Sequence, residues 1–123
     1  MKKVTKDTTD DELMEPVIYA KNRLARETSN SATYDQYNAE DVAQLARELA
    51  IAEGQVQARY EYRNALAYDA TPQEIRKTLT DLVLRGADDT WSGRSGDIKR
   101  SKFDGLRGEV RDLLLMLDRE ARA

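Results

Sequence analysis

Two pairs of carboxylates, Glu12 with Glu15 and Glu109 with Asp112, stand three residues apart, the spacing that sets two side chains on one face of a helix. Such pairs can hold a hard divalent cation or divide the roles of general acid and base. They are the main chemical resource of the chain, whose 123 residues include no histidine and no cysteine. That absence removes the usual proton shuttle near neutral pH, the thiolate nucleophile and the preferred ligands of transition metals. A serine nucleophile is poorly served as well: Ser92 and Ser95 have no histidine base and only Lys99 close in sequence. The acidic run Asp7, Asp10, Asp11 and Glu12 has a simpler use, as negative charge at the positive end of a helix dipole. These residue types point away from catalysis, with no metal and no cofactor expected, and leave packing surfaces and charge.

Three short stretches resemble known sites. Glu12 and Glu15 resemble the opening of the acidic helical motifs with which all-α nucleotide pyrophosphatases hold magnesium. That resemblance implies a magnesium-dependent phosphohydrolase with Glu109 and Asp112 as the second pair, though no other landmark surrounds either. Asp88, Thr90, Ser92 and Gly93 resemble the first half of a calcium-binding EF-hand loop, with alternating ligands and a turn glycine. Lys99 then stands where the closing bidentate glutamate belongs, so the stretch reads as a turn-rich connector. From Asn64 to Gly86 the chain resembles helix-turn-helix and winged-helix DNA-binding modules: a short turn at Asp69 and Ala70, a cap at Thr71, and a helix from Ile75 ending in glycine. The resemblance implies that Arg76 and Lys77 touch phosphate or base edges. The helix before the turn is longer than that family uses, and no strands follow to make a wing.

Basic residues gather at Arg94, Lys99, Arg100, Lys102 and Arg107, diluted by Asp97 and Asp104, in a chain whose net charge is −3. With Gly93, Ser95 and Gly96 just ahead of a helix start, backbone N–H groups there could cradle a phosphate, although clustered Lys and Arg are also common on solvated faces. Arg76, Lys77, Arg94, Lys99, Arg100 and Lys102 thus form the contact set of an alternative function, a nucleic-acid-binding regulator. Aromatics favour a different partner. Tyr34, Tyr37, Tyr60, Tyr62 and Tyr68, with Trp91, are too many for one narrow stripe. Tyr and Trp dominate the hot spots of protein interfaces. Tyr60, Tyr62, Tyr68 and Trp91 are the residues expected to meet a partner protein.

The elements that must position these groups are helical. Acidic residues precede an apolar set at Leu13, Val17, Ala20 and Leu24, which predicts a first helix from about Asp10 to Glu27. Residues 28–38 lack a period and read as a connection, with a capping start at Asn38 and Asp41. The second helix carries Val42, Leu45, Leu49, Ala52 and Val56, continues less cleanly to Asp69, and has Gly54 as its weak point. If unbroken it spans on the order of 45 Å. Thr71, Pro72 and Glu74 supply a hydroxyl cap, a first-position proline and a capping-box carboxylate for a third helix. Ile75, Leu79, Leu82 and Val83 form its buried face, and Gly86 is its expected stop. After a loop over 87–96, Phe103, Leu106, Val110, Leu113 and Leu117 repeat at the alternating steps of a pairing seam. Gly105 and Gly108 are expected to kink or break the start of this fourth helix.

These features predict one all-α domain over residues 1–123, an irregular four-helix bundle built around one long central helix, with a frayed start over about 1–9. The apolar length of helix two exceeds what helix three can cover, which motivates a homodimer. Charged residues at 35% and apolar ones at 40% suit a folded soluble chain, and the acidic balance argues against bulk attraction to nucleic acid or anionic membrane. No apolar run is long enough to span a membrane or, behind the basic Met1 to Lys6 start, to form a signal peptide, so a cytoplasmic protein is expected. The expected function is non-enzymatic: a small adaptor or inhibitor that binds another protein, with a composition of the kind seen in phage or mobile-element accessory proteins.

Overall fold

The computed structural model describes residues 3–34, 39–87 and 94–122, which form four helices: α1 (Asp10–Tyr34), α2 (Ala39–Ala67), α3 (Pro72–Ala87) and α4 (Arg94–Arg122). The long central helix of the all-α bundle is α2, which packs against α1, α3 and, most extensively, α4. Ion pairs fix the directions. Arg63 meets Asp10 and Arg23 meets Glu48, so α1 runs antiparallel to α2. Arg59 meets Glu109 and Gly54 meets Lys102, so α2 and α4 run parallel. Arg76 meets Asp118 and Gly86 meets Phe103, so α3 returns antiparallel to α4.

Two apolar clusters fill the interior. The larger joins Leu13, Ala58, Tyr62, Ile75, Leu79, Leu82, Leu106, Val110, Leu113 and Leu117 with Val4 of the N-terminal segment. The smaller, Val17, Ala20, Ala52 and Val56, lies between α1 and α2, with Tyr60 packed against both clusters. Burying each leucine or isoleucine contributes about 1.5–3 kcal/mol, so the stripes read from sequence account for the assembly of the bundle. Within one chain α2 packs against both α1 and α4, while its apolar residues Val42, Leu49 and Ile51 stay half-buried.

Local signals set the helix ends. Thr71 and Glu74 form a reciprocal capping box: the Thr71 amide donates to Glu74 Oε1 at 3.0 Å, and the Glu74 amide to Thr71 Oγ1 at 3.2 Å. Thr9 caps α1 in the same way, accepting from the Glu12 amide at 3.2 Å while its hydroxyl donates to the Glu12 carboxylate at 3.2 Å. Between α2 and α3, the Ala70 amide bonds the Ala65 carbonyl and the Asp69 amide bonds the Leu66 carbonyl. This is the paired pattern of a Schellman stop, with Asp69 at φ 56° in the left-handed position. Aspartate tolerates that conformation better than most side chains, so the turn expected at Asp69 and Ala70 forms without glycine.

Several expectations are corrected. Helix α1 continues past Glu27 to Tyr34, into the stretch read as a connection, while the capping start at Asn38 lies outside the described residues. The segment read as frayed is anchored at points, although Thr5, Lys6 and Asp7 are exposed: Val4 is buried, Lys3 Nζ lies 2.5 Å from Glu120, and Thr5 and Thr8 bond each other in a turn. Gly86 is not the left-handed stop expected for α3: it is helical, α3 runs on to Ala87, and the Phe103 ring lies beside it. The fourth helix begins at Arg94, inside the expected loop, and passes through Gly105 and Gly108 unbroken.

Gly54 and Gly105 are contact points. A Cβ at position 54 would sit 2.0 Å from the Lys102 carbonyl oxygen, and one at position 105 would sit 2.1 Å from that of Ile51. The two backbones touch where the glycines face each other's helix, an approach that any side chain blocks and that permits Cα–H contacts to carbonyl oxygens. The conformational cost of glycine in a helix is offset by packing around the crossing. Gly108 has nothing within 4 Å of its Cβ position. Gly54→Ala or Gly105→Ala should therefore lose at least about 2 kcal/mol of stability, whereas Gly108→Ala should gain about 0.5–1 kcal/mol. Urea unfolding followed by helical circular dichroism separates these, and equal effects at Gly54 and Gly108 would contradict the close crossing.

Candidate functional site

Among the described residues the expected partner-binding tyrosines stand in different surroundings. Tyr62 is 1% exposed and belongs to the core, so its assignment to a partner surface is corrected. The cause is geometric: residues two apart on a helix point about 200° apart, so Tyr60 and Tyr62 cannot share a face. Tyr60 is half-buried, with the Arg63 guanidinium 4.7 Å from its ring centroid. Tyr68, at 85% exposed, stands alone at the α2–α3 turn. Trp91 and the EF-hand-like stretch of Asp88, Thr90, Ser92 and Gly93 lie outside the described residues, as do the side chains of Arg94, Tyr34 and Tyr37.

The nucleic-acid set is divided. Arg76 is paired with Asp118 of α4, and Lys77 is exposed beside it. Lys99, Arg100 and Lys102 are exposed at the opposite end of α4. With α3 and α4 antiparallel, Lys102 lies sixteen helical residues, roughly 24 Å, from the residue that holds Arg76. The carboxylate pairs also serve other ends. Glu12 completes the α1 cap, Glu109 is bonded to Arg59, and the described residues contain no cluster of three acidic side chains suited to a metal ion.

Arg59 Nε donates to Glu109 Oε1 at 2.9 Å, with the two side chains only 11% and 3% exposed. Burying two charges costs several kcal/mol, which their attraction repays only with good geometry. The pair consequently fixes the α2–α4 register more than it adds stability. Nearby, Arg63 donates to the Thr8 carbonyl at 3.0 Å and to Asp10 at 2.6 Å, clasping the N-terminal segment and the start of α1 to α2. Hydrogen bonds from Arg63 and Tyr60 hold the Asp10 carboxyl below the usual carboxylate range. The Thr71 backbone amide, and then its hydroxyl, does the same for Glu74.

One open groove combines charge with apolar surface. It lies where α2, α3 and α4 meet and has a volume of about 440 Å³. Gln57 and Glu61 line it from α2, Leu82, Arg85 and Gly86 from α3, and Lys99, Lys102, Phe103 and Leu106 from α4. Leu82 and Leu106 are buried, and Phe103 is half-buried where it rests on Gly86, so the floor is apolar. Arg85, Lys99 and Lys102 are exposed around it. Among the described residues these three cations have no ion-pair partner, as is also true of Lys6, Lys21, Arg26, Lys77, Arg111 and Arg119; what distinguishes them is that they gather around one groove. Ile98, one turn before Lys102 on the same side of α4, is left 40% exposed.

Sequence reasoning placed Lys99 and Lys102 among binding residues but gave Arg85 no binding role and took Phe103 as plain core. The one available signal was the interleaving of lysines with the start of the apolar seam, and the groove itself exists only once α3 is folded back on α4. No known family, curated protein or solved structure matches the chain.

Glu109→Gln or Arg59→Met alone should cost about 3–5 kcal/mol by leaving a buried charge unpaired, while Arg59→Met with Glu109→Leu should recover most of the loss. Urea unfolding of the four-member cycle checks this; additive losses would contradict a coupled pair. Asp10 and Glu74 are more acidic folded than unfolded. Their stabilisation is thus complete above the ordinary carboxylate range and is lost as pH falls through their lowered values. Asp10→Asn combined with Glu74→Gln should flatten the acid limb of the stability curve, read as urea midpoints from neutral pH downward; an unchanged slope would contradict the assignment.

Proposed function

We propose that this chain is a non-catalytic binding protein, an adaptor or inhibitor that receives a partner protein in the groove between α2, α3 and α4. The supporting observation is the groove itself: unneutralised Arg85, Lys99 and Lys102 around an apolar floor of Leu82, Phe103 and Leu106. Protein interfaces combine an apolar centre with a polar rim, and arginine is enriched at their hot spots. The exposed Tyr68 at the far end of α3 offers a second, smaller contact. A nucleic-acid regulator has less support. Arg76 is paired with Asp118, and Asp97 and Asp104 break up the basic stretch with exposed carboxylates.

Arg85→Glu with Lys99→Glu changes only exposed side chains and should leave the helical signal intact. Against lysate of the source cells, the wild-type chain should retain a discrete partner after nuclease treatment, and the double variant should lose it by about tenfold. Retention that disappears with nuclease, or that ignores the double substitution, would contradict protein binding at the groove.

A further inference from the structure

Resting on that reading, we infer that the groove's occupant is an acidic amphipathic helix of the partner protein, with carboxylates facing α3 and α4 and two apolar residues one turn apart seated on Phe103. The argument is charge complementarity joined to shape. Arg85, Lys99 and Lys102 present positive charge without internal partners, although the chain as a whole carries a net charge of −3. An acidic segment is therefore drawn to this face. The floor rules on shape. From Lys99 to Leu106 the lining of α4 extends about 10 Å, the length of two helical turns, which accommodates two apolar anchors at i and i+3 or i+4. A phosphate backbone would gain from the cations but bring no apolar surface to the Phe103 side of the groove.

The groove is also asymmetric. Its cations stand on α3 and α4, and among the described residues its one lining carboxylate, Glu61, stands on α2. An acidic helix fits only with its carboxylates turned away from α2 and a neutral or basic residue toward Glu61. Orientation is thereby specified by a repulsive contact as well as by attractive ones.

Because the chain has no cysteine, Gln57→Cys creates a single thiol on the groove wall for an environment-sensitive dye. A random peptide library would be selected on the immobilised full chain, and the enriched peptides titrated against the dye-labelled protein. We expect the enriched peptides to be rich in Asp and Glu, to carry apolar residues one helical turn apart and to shift the dye. They should bind about tenfold more weakly to Lys99→Glu with Lys102→Glu, and more tightly to Glu61→Gln. Neutral or basic peptides that still shift the dye would overturn the acidic occupant while leaving protein binding at the groove standing. Enriched peptides that do not shift the dye would overturn both. A mixed-sequence DNA duplex that shifts the dye and displaces the peptides would assign the groove to nucleic acid instead.

Discussion

The backbone contact between α2 and α4 is the constraint on which the rest of the bundle depends. Gly54 lies against the Lys102 carbonyl and Gly105 against that of Ile51, so the helices meet with no side chain between them. Helices separated by ordinary side chains stand about 8–10 Å apart and tolerate some sliding. Two glycines facing each other's backbone allow much less. This contact sets the register that brings Arg59 opposite Glu109 and places Leu106, Val110, Leu113 and Leu117 in one cluster with Ala58 and Tyr62.

From that register the groove follows. With α4 fixed against α2, the reciprocal cap at Thr71 and the left-handed stop at Asp69 turn α3 back along α4. Gly86 then receives the Phe103 ring, which brings Arg85 to the same opening as Lys99 and Lys102. The N-terminal segment is held at the other end of the bundle by Lys3 on Glu120 and by the Arg63 clasp, with Val4 inserted into the core. Charge in this protein is thus arranged in two ways: ion pairs at Lys3, Arg23, Arg59, Arg63 and Arg76 tie segments together, and Arg85, Lys99 and Lys102 gather exposed around the groove.

The fold was largely legible in the sequence because helix-period stripes and capping residues act locally. The Thr71, Pro72, Glu74 start and the Leu106 to Leu117 seam stand where their chemistry puts them. The matching Thr9 and Glu12 cap was equally readable, and it gives Glu12 a structural use that its spacing to Glu15 obscured. Glycine was misread because its local effect and its tertiary effect have opposite signs: Gly54, Gly105 and Gly86 weaken an isolated helix yet admit the neighbour that stabilises it. Tyr62 was misplaced because an aromatic count ignores the 100° step between helical positions. The groove was not legible at all, since Arg85 and Lys99 are brought together by a reversal of chain direction that neither residue encodes.

The most direct measurement of the central contact is a set of through-space proton couplings on the isotopically labelled protein. We expect strong cross-peaks from the Gly54 α-protons to the Leu106 amide and from the Gly105 α-protons to the Ile51 α-proton, pairs that only touching backbones bring together. A folded, fully helical spectrum lacking both would show that side chains separate the two helices, contradicting the register and the groove that follows from it.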